Sequence, residues 1–183
     1  MEQRYDLSGS LLHWYDYNKR ILPWRENKDP YRIWISEIML QQTRVEAVKP
    51  YFDRFMEVLP TVYDLAKVDD DRLMKLWEGL GYYNRARNLK AAAQTIVEEY
   101  GGQLPADYDK LLSLKGIGMY TAGAIGSIAF ELQVPAVDGN VLRVLTRLWG
   151  DDSDILKDKT KKAMGRRVME FMPEDRAEWA AIM

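Results

Sequence analysis

Two acidic residues stand where a carboxyl could do chemistry. Glu37 lies in the run Pro30-Tyr-Arg-Ile-Trp-Ile-Ser-Glu-Ile-Met-Leu-Gln-Gln-Thr43, with Ile33, Trp34, Leu40 and Gln41 one helical turn away. A carboxyl among such neighbours loses water, which disfavours its charged form and lifts its pKa above the usual value of about 4.3. An acid still protonated near neutral pH can give a proton to a leaving group. A structural role competes with that reading: an ion pair with Arg20, Arg25 or Arg32. Asp138 ends the apolar stretch of Val134-Pro-Ala-Val-Asp-Gly-Asn-Val141, and Gly139 and Asn140 then open a helix. Asp138 is thus placed as an N-cap. The amides that it caps hold it ionised, which is also what stabilising a nearby sugar cation requires, so the two roles coexist.

Two further segments have the composition of contact surfaces. In Leu114-Lys-Gly-Ile-Gly118 the glycines allow positive φ and close backbone approach, and a helix follows at once from Tyr120 and Thr121. The free N–H groups and the dipole at that helix start favour a phosphate, although an ordinary corner between helices has the same pattern. In Gly79-Leu-Gly-Tyr-Tyr-Asn-Arg-Ala-Arg-Asn88, Tyr82 and Tyr83 precede Arg85, Arg87 and Lys90. Aromatic rings can wedge among bases while basic residues take phosphates, and packing of both rings in the core is the alternative. Gln41-Gln42-Thr43 offers a second polar wedge.

The elements that must position these residues are helical, because the apolar period is helical nearly everywhere and no alternating strand pattern appears. The first helix carries Leu11, Leu12, Tyr15 and Tyr17, and a loop broken by Pro23 and Pro30 follows. The Glu37 helix begins after Pro30, and the next spans Val45 to Leu59. Thr61 and Asp69 cap two short helices, and Asn84 to Tyr100 ends at Gly101-Gly102. Tyr108–Leu114 and Tyr120–Glu131 flank the glycine turn. Gly139–Trp149 and Lys157–Met172 come next, with a last helix predicted from Glu174. Asp69, Asp70 and Asp71 point in different directions around a helix, so they read as cap and dipole complement rather than a metal site.

Of 183 residues, 47% are hydrophobic, enough for a substantial core. With no cysteine and a single histidine, His13, the chain offers no disulfide, thiolate nucleophile, zinc finger or multi-histidine metal site. No apolar run reaches membrane-span length and the first ten residues are too polar for a signal peptide, so a soluble intracellular protein is expected. The net charge of −2 requires any nucleic-acid contact to rest on a local basic patch and backbone amides.

Taken together, Leu22-Pro-Trp-Arg25, the Pro30–Thr43 run, Gly79–Leu89, the hairpin Leu114–Thr121 and Val137-Asp-Gly-Asn-Val141 resemble, in family order, the helix–hairpin–helix DNA glycosylases. Among these the chain is most similar to the MutY-type adenine glycosylases. The resemblance implies an all-α, two-lobed fold. A six-helix barrel (about 22–132) would carry the helix–hairpin–helix (about 108–131), and a second lobe would combine 1–21 with 133–183, incomplete at its C-terminal end. It implies that Glu37 protonates a flipped adenine and that Asp138 stabilises the sugar cation or captures it covalently, with Tyr120 and Asn140 in support. Arg20, Trp24 and Leu40 would line the base pocket, and Arg25 would bind substrate or DNA. Gln41, Gln42, Thr43 and Tyr82 would fill the opened stack, while Arg85, Arg87, Lys115, Gly116, Gly118, Tyr120 and Thr121 would contact DNA. It further implies a monovalent cation on the carbonyls of Leu114, Gly116 and Ile117. The family's [4Fe–4S] cluster has no cysteine ligand here, and its 8-oxoguanine-reading domain is missing. The expected substrate is adenine opposite 8-oxoguanine or guanine in double-stranded DNA, acted on by a monomeric, cytoplasmic, DNA-associated bacterial protein. An endonuclease III-like lyase needs a lysine where Tyr120 stands. A catalytically weak DNA-binding module is the remaining alternative.

Overall fold

The computed structural model describes residues 6–181, and among these no strand occurs. The helices are α1 (Leu7–Asn18), α2 (Pro30–Leu40), α3 (Val45–Val58), α4 (Val62–Lys67) and α5 (Asp70–Trp77). They continue as α6 (Asn84–Tyr100), α7 (Tyr108–Ser113), α8 (Met119–Phe130), α9 (Gly139–Trp149) and α10 (Asp158–Met169). Their starts follow local chemistry. The Asp29 side chain accepts from the Tyr31 amide at 2.9 Å, and Pro30, which has no N–H to lose, opens α2. Thr61 and Asp64 form a reciprocal capping box on α4, while Asp69 accepts from the Arg72 amide at 2.8 Å. Asp69–Asp71 therefore serve α5, with Asp70 turned to Lys90.

Two predicted ends differ. α10 stops at Met169 rather than Met172, and the chain from Glu174 forms only a 3-10 turn, Ala177–Ala181. The amides of Glu170, Phe171 and Met172 reach back three residues rather than four, and Pro173 disfavours helical backbone at Met172. The 3-10 turn is fixed by burial of Trp179 and by Arg176, which bridges Asp16 of α1 at 3.2 Å and Glu178 at 2.5 Å.

The larger core draws on residues between Leu22 and Ile125, built around Trp34, Phe52, Phe55 and Trp77. A second core joins Val141, Leu142 and Leu145 of α9 to Met164, Val168 and Trp179, and Leu7, Leu11 and Leu12 of α1 pack onto it. The two meet where α8 carries small residues. Ala124 packs with Ala136 and Ala180, and a side chain at Gly123 would collide with the Pro135 carbonyl. That close approach lays the 134–138 segment on α8 and brings Asp138 toward Tyr120.

Candidate active site

Glu37 projects from α2 into a cleft of about 860 Å³ whose lining includes Tyr120, Asp138 and Asn140. Burial pushes the Glu37 carboxyl up to about 7, against the donating Tyr120 hydroxyl and the positive field of Arg25. The negative charge of Asp138 adds to the rise. Among the described residues no arginine or lysine is within ion-pairing distance of Glu37, which removes the structural alternative. Arg32 donates instead to the Pro23 carbonyl at 2.8 Å and lies over the Phe52 ring, and Arg20 lines the cleft. Burial, and then the charge of Glu37, push the Tyr120 hydroxyl upward, so it remains a proton-bearing donor.

Asp138 is the N-cap of α9. Its Oδ1 accepts from the amides of Asn140 and Val141, both at 2.8 Å, and its Oδ2 accepts from the Asn140 side chain at 3.0 Å. Three donors hold the carboxylate in one orientation, half-buried, at the wall of the cleft. The site thus offers a half-buried carboxyl poised to give a proton, and a fixed carboxylate beside it.

The cleft also gathers Arg20, Trp24, Arg25, Leu40, Gln41, Gln42 and Thr43. Trp24 is mostly core, edge-on to Phe52 at 5.3 Å between ring centres. Residues not anticipated from sequence join them: Tyr15 and Lys19, Lys28, and Arg176 from the C-terminal turn. The helical period is the only signal that Tyr15 carries in the sequence. Lys28 and Arg176 carried no local signal, because their place depends on pairing with Glu131 and Asp16 far along the chain.

Tyr82 and Arg87 lie outside the cleft, in an adjoining groove that Gln41 and Gln42 share. Tyr82 is 66% exposed and Tyr83 38%, so core packing of these rings is excluded. Arg85 corrects the expectation of a phosphate contact. Its guanidinium is turned inward, onto backbone carbonyls at the end of α2 and in the Gly79–Tyr82 loop. Lys90 is likewise engaged, with Asp70 at 2.5 Å.

At the hairpin, Gly116 has φ +83°, and a Cβ there would lie 2.7 Å from that of Asn88, so both properties of glycine are used. Gly118 has extended backbone and open space above it, and no side chain caps the start of α8. Thr121 is buried, which does not match the contact expected of its side chain, while Lys115 is exposed. The Leu114 carbonyl accepts from the Ile117 amide at 3.1 Å, closing the turn. An iron–sulfur cluster does not fit these 183 residues, because none can supply a thiolate.

Residues 35–171 match the family described as HhH-GPD superfamily base excision DNA repair protein. The adenine DNA glycosylase of Rattus norvegicus is 47% identical over 148 residues, covering 76% of this chain and 29% of that protein. The chain thus spans under a third of the length of that curated relative. A thermostable thymine-DNA glycosylase has the same fold at a TM-score of 0.87 and 28% identity, over 96% of this chain and 81% of that one. Endonuclease III in a non-covalent complex with DNA gives 0.77 and 25%, over 100% and 83%.

Proposed function

The chain belongs to the HhH-GPD superfamily of base excision DNA repair proteins, and from that premise we propose that it hydrolyses the N-glycosidic bond of adenine in duplex DNA. The observation that carries this reading is one cleft in which Glu37, pushed up to about 7, faces Asp138 with Tyr120 beside them. Glu37 gives its proton to N7 of an adenine flipped into the cleft, making the base a neutral leaving group. As the bond from C1′ to N9 breaks, the pair leaves with the base and positive charge grows on the sugar. Asp138, oriented by its three donors, stabilises that charge. Water adds its oxygen to C1′ and gives up a proton to a carboxylate. The products are adenine and an abasic site in an unbroken strand.

The name of the Rattus norvegicus relative supports adenine as the base. We infer a mispair with 8-oxoguanine or guanine as the substrate. The hairpin would take a phosphate on the free amides of α8, and Leu114, Gly116 and Ile117 would hold a monovalent cation whose charge assists there. No step passes through it. The lyase reading, favoured by the likeness to endonuclease III, needs a lysine amine at the sugar. Tyr120 occupies the position that follows the hairpin, and Lys115 lies within the turn.

A single-turnover assay on A:8-oxoguanine and A:G duplexes tests the proposal. Adenine release that leaves the strand intact until alkali is added supports it. Strand scission without alkali replaces it with the lyase, and binding without release replaces it with an inert module.

A further inference from the structure

The Gln41–Gln42 loop and the Gly79–Tyr82 loop both carry unfavourable backbone. Gln42 has φ 59° and Tyr82 φ 48°, the left-handed region that side chains other than glycine's rarely adopt. Each such residue costs on the order of 1 kcal/mol or more and persists only where its surroundings hold it. One side chain touches both loops. Arg85 Nη1 donates to the carbonyls of Ile38 at 2.8 Å, Met39 at 3.2 Å and Gln41 at 2.6 Å, at the C-terminal end of α2. Its Nη2 donates to the carbonyls of Leu80 at 3.0 Å and Gly81 at 3.3 Å. The guanidinium also lies 5.5 Å from the centre of the Trp77 ring and 5.7 Å from that of Tyr82. Its charge suits the negative end of the α2 dipole. A lysine could reach one of these loops but not fork between them.

We propose that Arg85 is a positioning residue that clamps the two loops into one wedge, presenting Gln42 and Tyr82 together to the stack from which the target base is drawn. The proposal rests on the DNA-glycosylase reading above. The wedge matters only while a base must be pulled from a closed stack, so losing the clamp impairs opening more than bond cleavage. This separates Arg85 from a residue that merely supports the fold.

The test compares the parent with Arg85→Lys and Arg85→Gln, each checked by thermal unfolding. Single-turnover adenine release is followed from an A:G duplex and from one with adenine opposite an abasic site, where opening is already cheap. Fluorescence of 2-aminopurine in place of the adenine reads opening without cleavage. Losing a fork of charge-assisted hydrogen bonds should slow release from A:G by about tenfold or more, with a clearly smaller loss opposite the abasic site. The fluorescence rise should weaken in step, and Lys should restore less than the parent even where its unfolding temperature matches. Equal losses on both duplexes, or no loss on either, overturn the clamp. If the parent opens 2-aminopurine but releases no adenine, the hydrolase reading falls and the fluorescence comparison still decides the clamp. A parent that neither opens nor cleaves overturns both.

Discussion

Glu37 and Asp138 share one cleft: burial pushes Glu37 up to about 7, the Tyr120 hydroxyl and Arg25 oppose that rise, and the negative charge of Asp138 adds to it.

Release of adenine should fall as pH rises through about 7, because Glu37 above that value has no proton to give. Tyr120→Phe removes the hydroxyl that favours the ionised form, so the falling limb should move to higher pH. A pH profile of single-turnover rates for both proteins checks this. A limb that moves downward would show that Tyr120 does not act on Glu37.

Glu37→Gln and Asp138→Asn should each lower the rate by roughly 10³-fold or more and leave binding to adenine-containing duplexes nearly unchanged. Asparagine caps a helix about as well as aspartate, so Asp138→Asn retains the start of α9 while removing the charge. Asp138→Ala loses both and should also destabilise by about 1 kcal/mol. Comparing the unfolding curves of the two variants separates cap from chemistry.

Glu37 has a stability signature as well. Its folded value lies above the ordinary one, so the folded protein binds this proton more tightly than the unfolded chain. Stability from this group is therefore present below about 4.5 and is lost as pH climbs to about 7. At pH 8, Glu37→Gln should stabilise the protein by on the order of 1 kcal/mol. Denaturant titrations at pH 5 and pH 8 should show the benefit only at the higher pH.

Gly123→Val should destabilise by about 1–3 kcal/mol, because a side chain there strikes the Pro135 carbonyl and lifts the segment bearing Asp138. Activity should fall further than the loss of folded protein explains, which a rate normalised to the folded fraction measures.

Tyr82→Ala should leave stability within about 0.5 kcal/mol, since the ring is exposed, and yet slow adenine release from a duplex. Unchanged release would show that the exposed ring is not a wedge.

Much of the fold was legible because its signals are local. Asp29, Thr61, Asp69 and Asp138 each cap an amide no more than three residues away, and Gly101 ends α6 with the positive φ that its type allows. The apolar turn around Glu37 and the glycine at 116 were readable for the same reason. The final 3-10 turn was not, because it depends on Arg176 reaching Asp16 near the other end of the chain. Sequence alone left Glu37 open between an ion pair and a buried acid, and gave Arg85 to phosphates. Tertiary structure decided both. Among the described residues no cation comes within pairing reach of Glu37, and the carbonyls that claim Arg85 include three at the end of α2, more than forty residues earlier. Caps and periods are set by near neighbours, whereas the protonation of a carboxyl or the partner of a guanidinium is set by whatever folding brings against it.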